Sequence, residues 1–186
     1  MNYKELADLL YPDVNGTIEE LEKKYPKRNL SDKAEVTRFA PSPTGRMHMG
    51  NLFASFVPET FAHQSNGIFY LRIEDTDDKR TIENGVEHIL EDFKEFDLKV
   101  DEDPINGGEY GPYKQRDRIN IYHTVAKHLV EIGRAYPCFC TEEDLEEMRE
   151  EQEEKKERIG YYGKYAKCRN LTLEEVKKHL ENNDPW

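Results

Sequence analysis

Six consecutive residues, Ala40-Pro41-Ser42-Pro43-Thr44-Gly45, constrain the fold of this chain more than any others. Two prolines and a glycine in so short a span cannot continue a sheet ladder or a helix interior. They interrupt two runs of clear character. Ahead of them, AEVTRFA (34–40) reads as a short strand with Val36 and Phe39 as its apolar positions. Behind them, MHMGNLFASF (47–56) reads as a helix start, with Leu52, Phe53, Phe56 and Val57 as its expected buried face. Pro58 is expected to kink that helix or mark its restart. A strand that turns sharply into a helix is the opening of a βα unit.

The units that follow repeat the order. GIFYLRIE (67–74) has the β-branched and aromatic residues of a strand, and DTDD (75–78) offers acceptors for the next helix start. In that helix Ile82, Val86, Ile89, Leu90, Phe93 and Phe96 recur at steps of three and four. A strand is expected near Leu98–Val100, then a helix, RINIYHTVAKHLVEIG, closed by Gly133. Strands alternating with helices predict an α/β fold around a parallel sheet. After Ala135 the alternation breaks. A strand-like AYPCFC is followed by a charged helix, a Tyr/Gly loop, and a last helix within LTLEEVKKHLENN. Ahead of Ala34, Leu6, Leu9, Leu10 and Tyr11 share one side of a helix stopped by Pro12, and Thr17 with Glu20 has the capping-box spacing of a second helix.

The chain of 186 residues carries a formal charge of −12, which argues against a surface that is a nucleic-acid or membrane binder throughout. Much of that charge is local. Thr141–Arg158 holds ten acids against four bases, a solvated helix rich in Glu followed four residues later by Lys or Arg. No run reaches the length of a membrane span, and the N-terminus lacks an apolar signal core, so a cytoplasmic protein is expected. Three cysteines, Cys138, Cys140 and Cys168, cannot all pair in disulfides, leaving free thiols or a metal.

The chemistry concentrates in RFAPSPTGRMHMGN (38–51). A helix start carries unpaired N–H groups and the positive end of the helix dipole, and so suits a phosphate. His48 can donate to a phosphoryl oxygen, Gly50 lets a nucleotide approach the backbone, and Asn51 adds a neutral donor. On its own His-x-Gly-Asn also fits a surface turn, and its neighbours decide between the two. RFAPSPTG before the histidine, LRIEDTD about twenty-five residues later, and GPYKQRDR (111–118) recur in order on the expected elements. Together they resemble the class I aminoacyl-tRNA synthetases, and within them the bacterial-type glutamyl-tRNA synthetases. His48-Met49-Gly50-Asn51 is similar to that family's variant of the HIGH signature. Glutaminyl and eukaryotic-type relatives would read closer to PPEP or PPEA where this chain has Ala40-Pro41-Ser42-Pro43. The resemblance covers about Val36 to Asn170.

The resemblance implies a Rossmann-like parallel sheet, the first half of the class I catalytic fold, joined to part of an inserted α+β acceptor-binding domain. It implies three regions: a helical extension over 1–34, the first half of the nucleotide-binding domain over 35–134, and an incomplete inserted domain over 135–186. Arg38 matches the arginine that pairs with a carboxylate of the glutamate substrate. Ala40 and Ser42 match pocket positions, and Glu74 the acid that receives the α-ammonium. Pro41, Thr44, His48, Gly50 and Asn51 match the ATP site. A dicarboxylic amino acid does need a cation able to make a bidentate contact and an anion for its amine. The implied reaction activates glutamate with ATP, with Mg²⁺ on the phosphates, and passes the glutamyl group to the terminal adenosine of a glutamate-accepting tRNA. Asp75 and Asp77 are expected to be helix caps, not metal ligands.

A KMSKS-type loop and an anticodon-binding region are missing, so the chain is expected to be the N-terminal part of a longer synthetase, a monomer with little activity alone. Competing readings are a glutamyl-Q tRNA-modifying paralogue, a small-molecule nucleotidyltransferase of the same superfamily, and a non-catalytic acceptor-binding piece. The three cysteines resemble the family's Cys-x-Cys … Cys-x-His zinc site, but Asn170 stands at the histidine position. Tyr161, Tyr162 or Tyr165 would then complete a tetrahedral set, with three reduced thiols as the alternative. His63, His88, His123 and His128 match no motif. GYYGKYAKCR, with Lys164, Lys167 and Arg169, is the stretch best suited to RNA.

Overall fold

The computed structural model describes residues 2–77 and 82–186. It is an α/β structure whose one named sheet pairs β1 (Val36–Phe39) with β2 (Ile68–Leu71) in parallel, Arg38 standing opposite Tyr70. The ladder continues past both strands, since the N–H groups of Arg72 and Glu74 donate to the carbonyls of Phe39 and Pro41. The strand expected over 67–74 is therefore present as a hydrogen-bonding track. The strand expected near 98–100 lies slightly later and is split. Leu71 N–H donates to Glu102 O, and Asp101 N–H to Phe69 O. Further along, Ile73 N–H donates to Tyr113 O, and Gln115 N–H to Ile73 O. The outer edge of β2 is thus lined by two separate stretches, 101–103 and 113–115.

The connection between the strands is α3 (Met49–Gln64). It runs through Pro58 as one element, and the Pro58 carbonyl accepts the Thr37 hydroxyl at 2.7 Å. Its buried side is Leu52, Ser55 and Ala62, whereas Phe53, Phe56 and Val57 are 71%, 55% and 40% exposed. The expected face is thus corrected to one centred on Leu52. The apolar residues of α3 extend round more of its circumference than the sheet covers. α4 (Gly85–Glu95) packs Ile89 and Phe93 against Phe69, Leu71 and Ile73. Ile82, ahead of the helix, and Phe96, after it, are exposed, so the predicted stripe is too long at both ends. The helix has Asn84 as its N-cap in the left-handed region, without a side-chain cap. Asp75 is not its cap, and Asp78 lies outside the described residues.

Packing separates two compact units, 16–122 and 1–15 with 123–186. The expected extension over 1–34 is divided between them. In the first unit, α2 (Ile18–Lys24) starts on the Thr17/Glu20 capping box, as its spacing predicts. The second unit holds α1 (Tyr3–Leu10), α6 (Glu142–Glu154), α7 (Leu173–Glu181) and the end of α5 (Ile119–Glu131), which closes before Gly133 at φ +69°. Its core joins Leu6, Ala7 and Leu10 to Val130 and Val176. Lys127 secures it, bonding Asp8 Oδ1 at 2.9 Å and the carbonyls of Tyr11 and Val14. Residues 135–140 are not a strand. Pro137 supplies no N–H, and Phe139 N–H turns instead to the Cys168 sulfur at 3.4 Å.

Candidate active site

The turn after β1 is held from three directions. Pro41 and Pro43 are buried, and their carbonyls accept Glu74 N–H at 2.9 Å and Ile82 N–H at 3.0 Å. Thr44 N–H closes on Ser42 O at 2.9 Å. Gly85 is required by closeness: a Cβ there would lie 2.7 Å from Pro43 O. Where the turn ends, Asp92 of α4, only 7% exposed, accepts Met47 N–H and one Arg46 nitrogen, both at 2.8 Å. Burial raises the Asp92 pKa, but the Met47 N–H and Arg46 outweigh it and hold the carboxyl below its ordinary value. Sequence reasoning missed Asp92. An acid at a core-facing position of an amphipathic helix was the available signal.

His48 is the N-cap of α3. Its Nδ1 accepts the Asn51 N–H at 3.3 Å, which leaves the neutral ring's proton on Nε2. Gly50 makes room for this arrangement, because a Cβ would meet His48 Cε1 and Nδ1 at 3.0 and 3.1 Å. Ser42, Thr44, His48 and Gly50 are exposed, and Ala40 and Asn51 half-buried. The ladder aligns the two charged positions. Arg38 is opposite Tyr70, and Glu74 follows Tyr70 by four residues, so both fall on the face of the sheet away from Phe69 and Leu71. Asp75 does cap a turn, but a different one: its carboxylate accepts the N–H of Arg116 at 3.0 Å, where a 3₁₀ turn (Arg116–Arg118) leads into α5.

In the other unit the three thiols converge. The sulfurs of Cys138, Cys140 and Cys168 lie within 4.8 Å of one another, and those of Cys140 and Cys168 are 3.7 Å apart. Two corners of a tetrahedron with arms of about 2.3 Å are separated by roughly 3.8 Å. The Tyr161 hydroxyl is 3.3 Å from Cys138, 3.5 Å from Cys140, and accepts Cys168 N–H at 3.1 Å. Burial pushes the Cys140 thiol up to about 11 and raises Tyr161 as well. The other two tyrosines point elsewhere. Tyr162 donates to Arg158 O, and Tyr165 to Glu157 at 2.7 Å. Asn170 is exposed and lines a separate hollow with Arg169. The donor set therefore fits a small thiophilic cation, with Tyr161 nearest of the three tyrosines.

Residues 35–186 match the family model of the class I tRNA synthetases (E and Q), catalytic domain. The chain belongs to that family. It is 60% identical over 190 residues to a glutamate–tRNA ligase of Acetivibrio thermocellus, matching all of this chain and 35% of that protein. It is 47% identical to one from Clostridium beijerinckii, matching all of this chain and 34% of the relative. A crystal structure of a glutamate tRNA ligase from Elizabethkingia meningosepticum, in complex with its amino acid, superposes with a TM-score of 0.69 at 37% identity. That match covers 83% of this chain and 31% of the other. The chain spans about a third of the length of the curated relatives it matches. Among the described residues no helix is long and apolar enough to cross a membrane.

Proposed function

We propose that this chain carries the amino-acid and ATP-contacting part of a glutamate–tRNA ligase. The observation that carries the reading is the extended ladder, in which Glu74 N–H bonds Pro41 O and sets Arg38 and Glu74 on one sheet face beside the His48 helix start. Arg38 pairs with a carboxylate of L-glutamate, Glu74 takes its ammonium, and Ala40 and Ser42 border the side chain. Pro41, Thr44, His48, Gly50 and Asn51 meet ATP, which brings Mg²⁺ on its phosphate oxygens. The α-carboxylate attacks the α-phosphorus, pyrophosphate leaves, and the terminal adenosine hydroxyl of a glutamate-accepting tRNA then takes the glutamyl group. Proton transfer contributes little to the first step. The protein's contribution is positioning and stabilisation of the charged phosphoryl group, for which the His48 Nε2 proton is available.

Cys138, Cys140 and Cys168, with Tyr161, would hold a structural zinc ion, which ties 138–140 to 161–168. The 35–134 and 135–186 regions then correspond to the catalytic half-fold and the start of the acceptor-binding insertion, and the RNA faces the loop carrying Lys167 and Arg169. Lys164 is less free, being drawn to Glu157 at 3.5 Å and to the Tyr165 ring. ATP–pyrophosphate exchange with glutamate and tRNA, run on the protein that contains this span, tests the reading. Exchange that requires glutamate and is lost in Arg38→Gln supports it. Exchange driven by another amino acid overturns it.

A further inference from the structure

On the sheet face away from the core, β2 presents Tyr70 and, two residues on, Arg72. A cavity of about 260 Å³ opens there, bordered also by Arg28, Tyr110, Tyr113 and Arg118. Among the described residues its lining includes three guanidinium groups and no carboxylate. The three are not equivalent. Arg28 is neutralised by a bidentate pair with Glu102, both contacts at 2.6 Å, and lies over the Tyr110 ring. Arg118 donates through one terminal nitrogen to Pro112 O at 2.8 Å and Tyr110 O at 3.4 Å, partners without charge. Among the described residues, Nε of Arg72 and Nε of Arg118 are both buried and have no hydrogen-bond partner.

A buried donor left unpaired is costly, and more so on a cation. Two arginines carrying such donors border one hollow. With no carboxylate among the described residues of its wall, they call for an acceptor that is also an anion. Carboxylate and phosphate oxygens match guanidinium geometry. The volume falls below the range of roughly 300–1,000 Å³ typical of sites for drug-sized ligands. It suits an anionic group, not a whole nucleotide. We infer that the hollow between Arg72 and Arg118 is a binding site for a small oxyanion. None of Arg38, Ala40, Ser42, His48 or Glu74 lines it, although Tyr70 stands opposite Arg38 on the same face, and the inference does not rest on the glutamate and ATP assignments. The oxyanion has two possible sources: a free ion, or an acidic side chain from elsewhere in the longer protein.

The test follows the Nε–H resonances of Arg72 and Arg118 by NMR in the 186-residue chain, titrated with inorganic phosphate and, separately, acetate, at ionic strength held constant with chloride. Saturable shifts of both resonances are expected with at least one of the two anions. Arg72→Gln should weaken binding by about tenfold or more, the loss of one charge-assisted hydrogen bond. Arg118→Gln should weaken it likewise, and Arg118→Lys, which keeps the charge but lacks the guanidinium fork, should do the same where Arg118→Gln does not fold. Arg38→Gln should leave the shifts in place while abolishing glutamate-dependent exchange, so this site and the proposed function fail separately. Repeating the titration on the longer protein distinguishes the sources: retained shifts identify a free ion, and resonances already shifted without added anion identify an internal carboxylate. Shifts no larger than chloride produces, in both proteins, overturn the inference.

Discussion

The carboxylate of Asp92 accepts the backbone N–H of Met47 at 2.8 Å, one residue before His48. A side chain in the middle of α4 thereby fixes where α3 begins. The same carboxylate holds Arg46, so the chain leaving the Pro/Gly turn is anchored through both main chain and side chain. Asp92→Ala should cost about 2 kcal/mol of stability, since hydrogen bonds to charged groups contribute about 1.5–3 kcal/mol. It should also slow glutamate-dependent exchange in the longer protein. Because the folded carboxyl is held below its ordinary value near 3.8, this stabilisation is present above that pH and is lost as pH falls through the lower folded value. Urea denaturation between pH 2.5 and 6 should show a smaller acid dependence in Asp92→Asn.

His48 caps α3, and two substitutions separate that role from the chemical one proposed for it. His48→Ala removes both the cap and the Nε2 donor. It should lower stability by about 1 kcal/mol and the exchange rate by about 10²-fold or more. Asparagine is a good N-cap, so His48→Asn should restore the stability and leave the rate low. Equal rescue of both would remove His48 from the chemistry.

Arg28, Glu102 and Tyr113 form a nearly closed network at the outer sheet edge, with Glu102 also accepting the Tyr113 hydroxyl at 2.7 Å. Arg28→Ala would strand a carboxylate whose side chain is 9% exposed. The expected cost is about 3–5 kcal/mol. Arg28→Met with Glu102→Leu should recover much of it, measured by a double-mutant cycle in guanidinium chloride.

His63 lies between two acids, with Nδ1 2.8 Å from Glu59 and Nε2 2.9 Å from Asp101. Burial lowers its pKa, but the two carboxylates outweigh that and raise it above 6.5. The protonated ring therefore stabilises the fold fully below about pH 6.5, and the contribution disappears as pH rises through the raised folded value. Denaturation midpoints should fall between pH 6 and 8.5 in the wild type. His63→Gln should flatten that slope, and an unchanged slope would assign it to another group.

Protein purified without chelator should contain close to one zinc ion per chain, and Co²⁺ substitution should give thiolate-to-metal absorption. Cys168→Ser should remove both signals. Tyr161→Phe should weaken retention of the metal, whereas Tyr162→Phe and Tyr165→Phe should not. Less than a tenth of an equivalent in the wild type would end the zinc reading.

The elements that sequence described well are those whose signals are local. The Thr17/Glu20 capping box, Gly133 and the 67–74 track depend on neighbouring residues alone. The Pro/Gly turn and His48 helix start were legible for the same reason. What sequence misplaced depends on partners distant in the chain. Phe53 and Phe56 are apolar at helical spacing, yet which side of α3 meets the sheet is decided by Phe69 and its neighbours. Asp75 has the composition of a cap for α4, but its partner is Arg116, forty-one residues on. Cys138, Cys140 and Cys168 were visible as a set. Choosing among three tyrosines needed the path of the loop, which brings the Tyr161 hydroxyl to the sulfurs.

The parallel ladder also determines which main-chain groups β1 leaves over. Glu35, Phe39 and Pro41 turn their carbonyls to β2. By the alternation of a strand, Val36, Arg38 and Ala40 direct their N–H and C=O groups to the opposite edge. The outer edge of β2 is already lined by 101–103 and 113–115, so among the described residues the edge left for growth is that of β1. A strand arriving there would bond directly to the peptide groups of Arg38. Extension of the sheet and the aim of its guanidinium are then a single event, and a guest strand at that edge would set the Arg38 side chain without touching it.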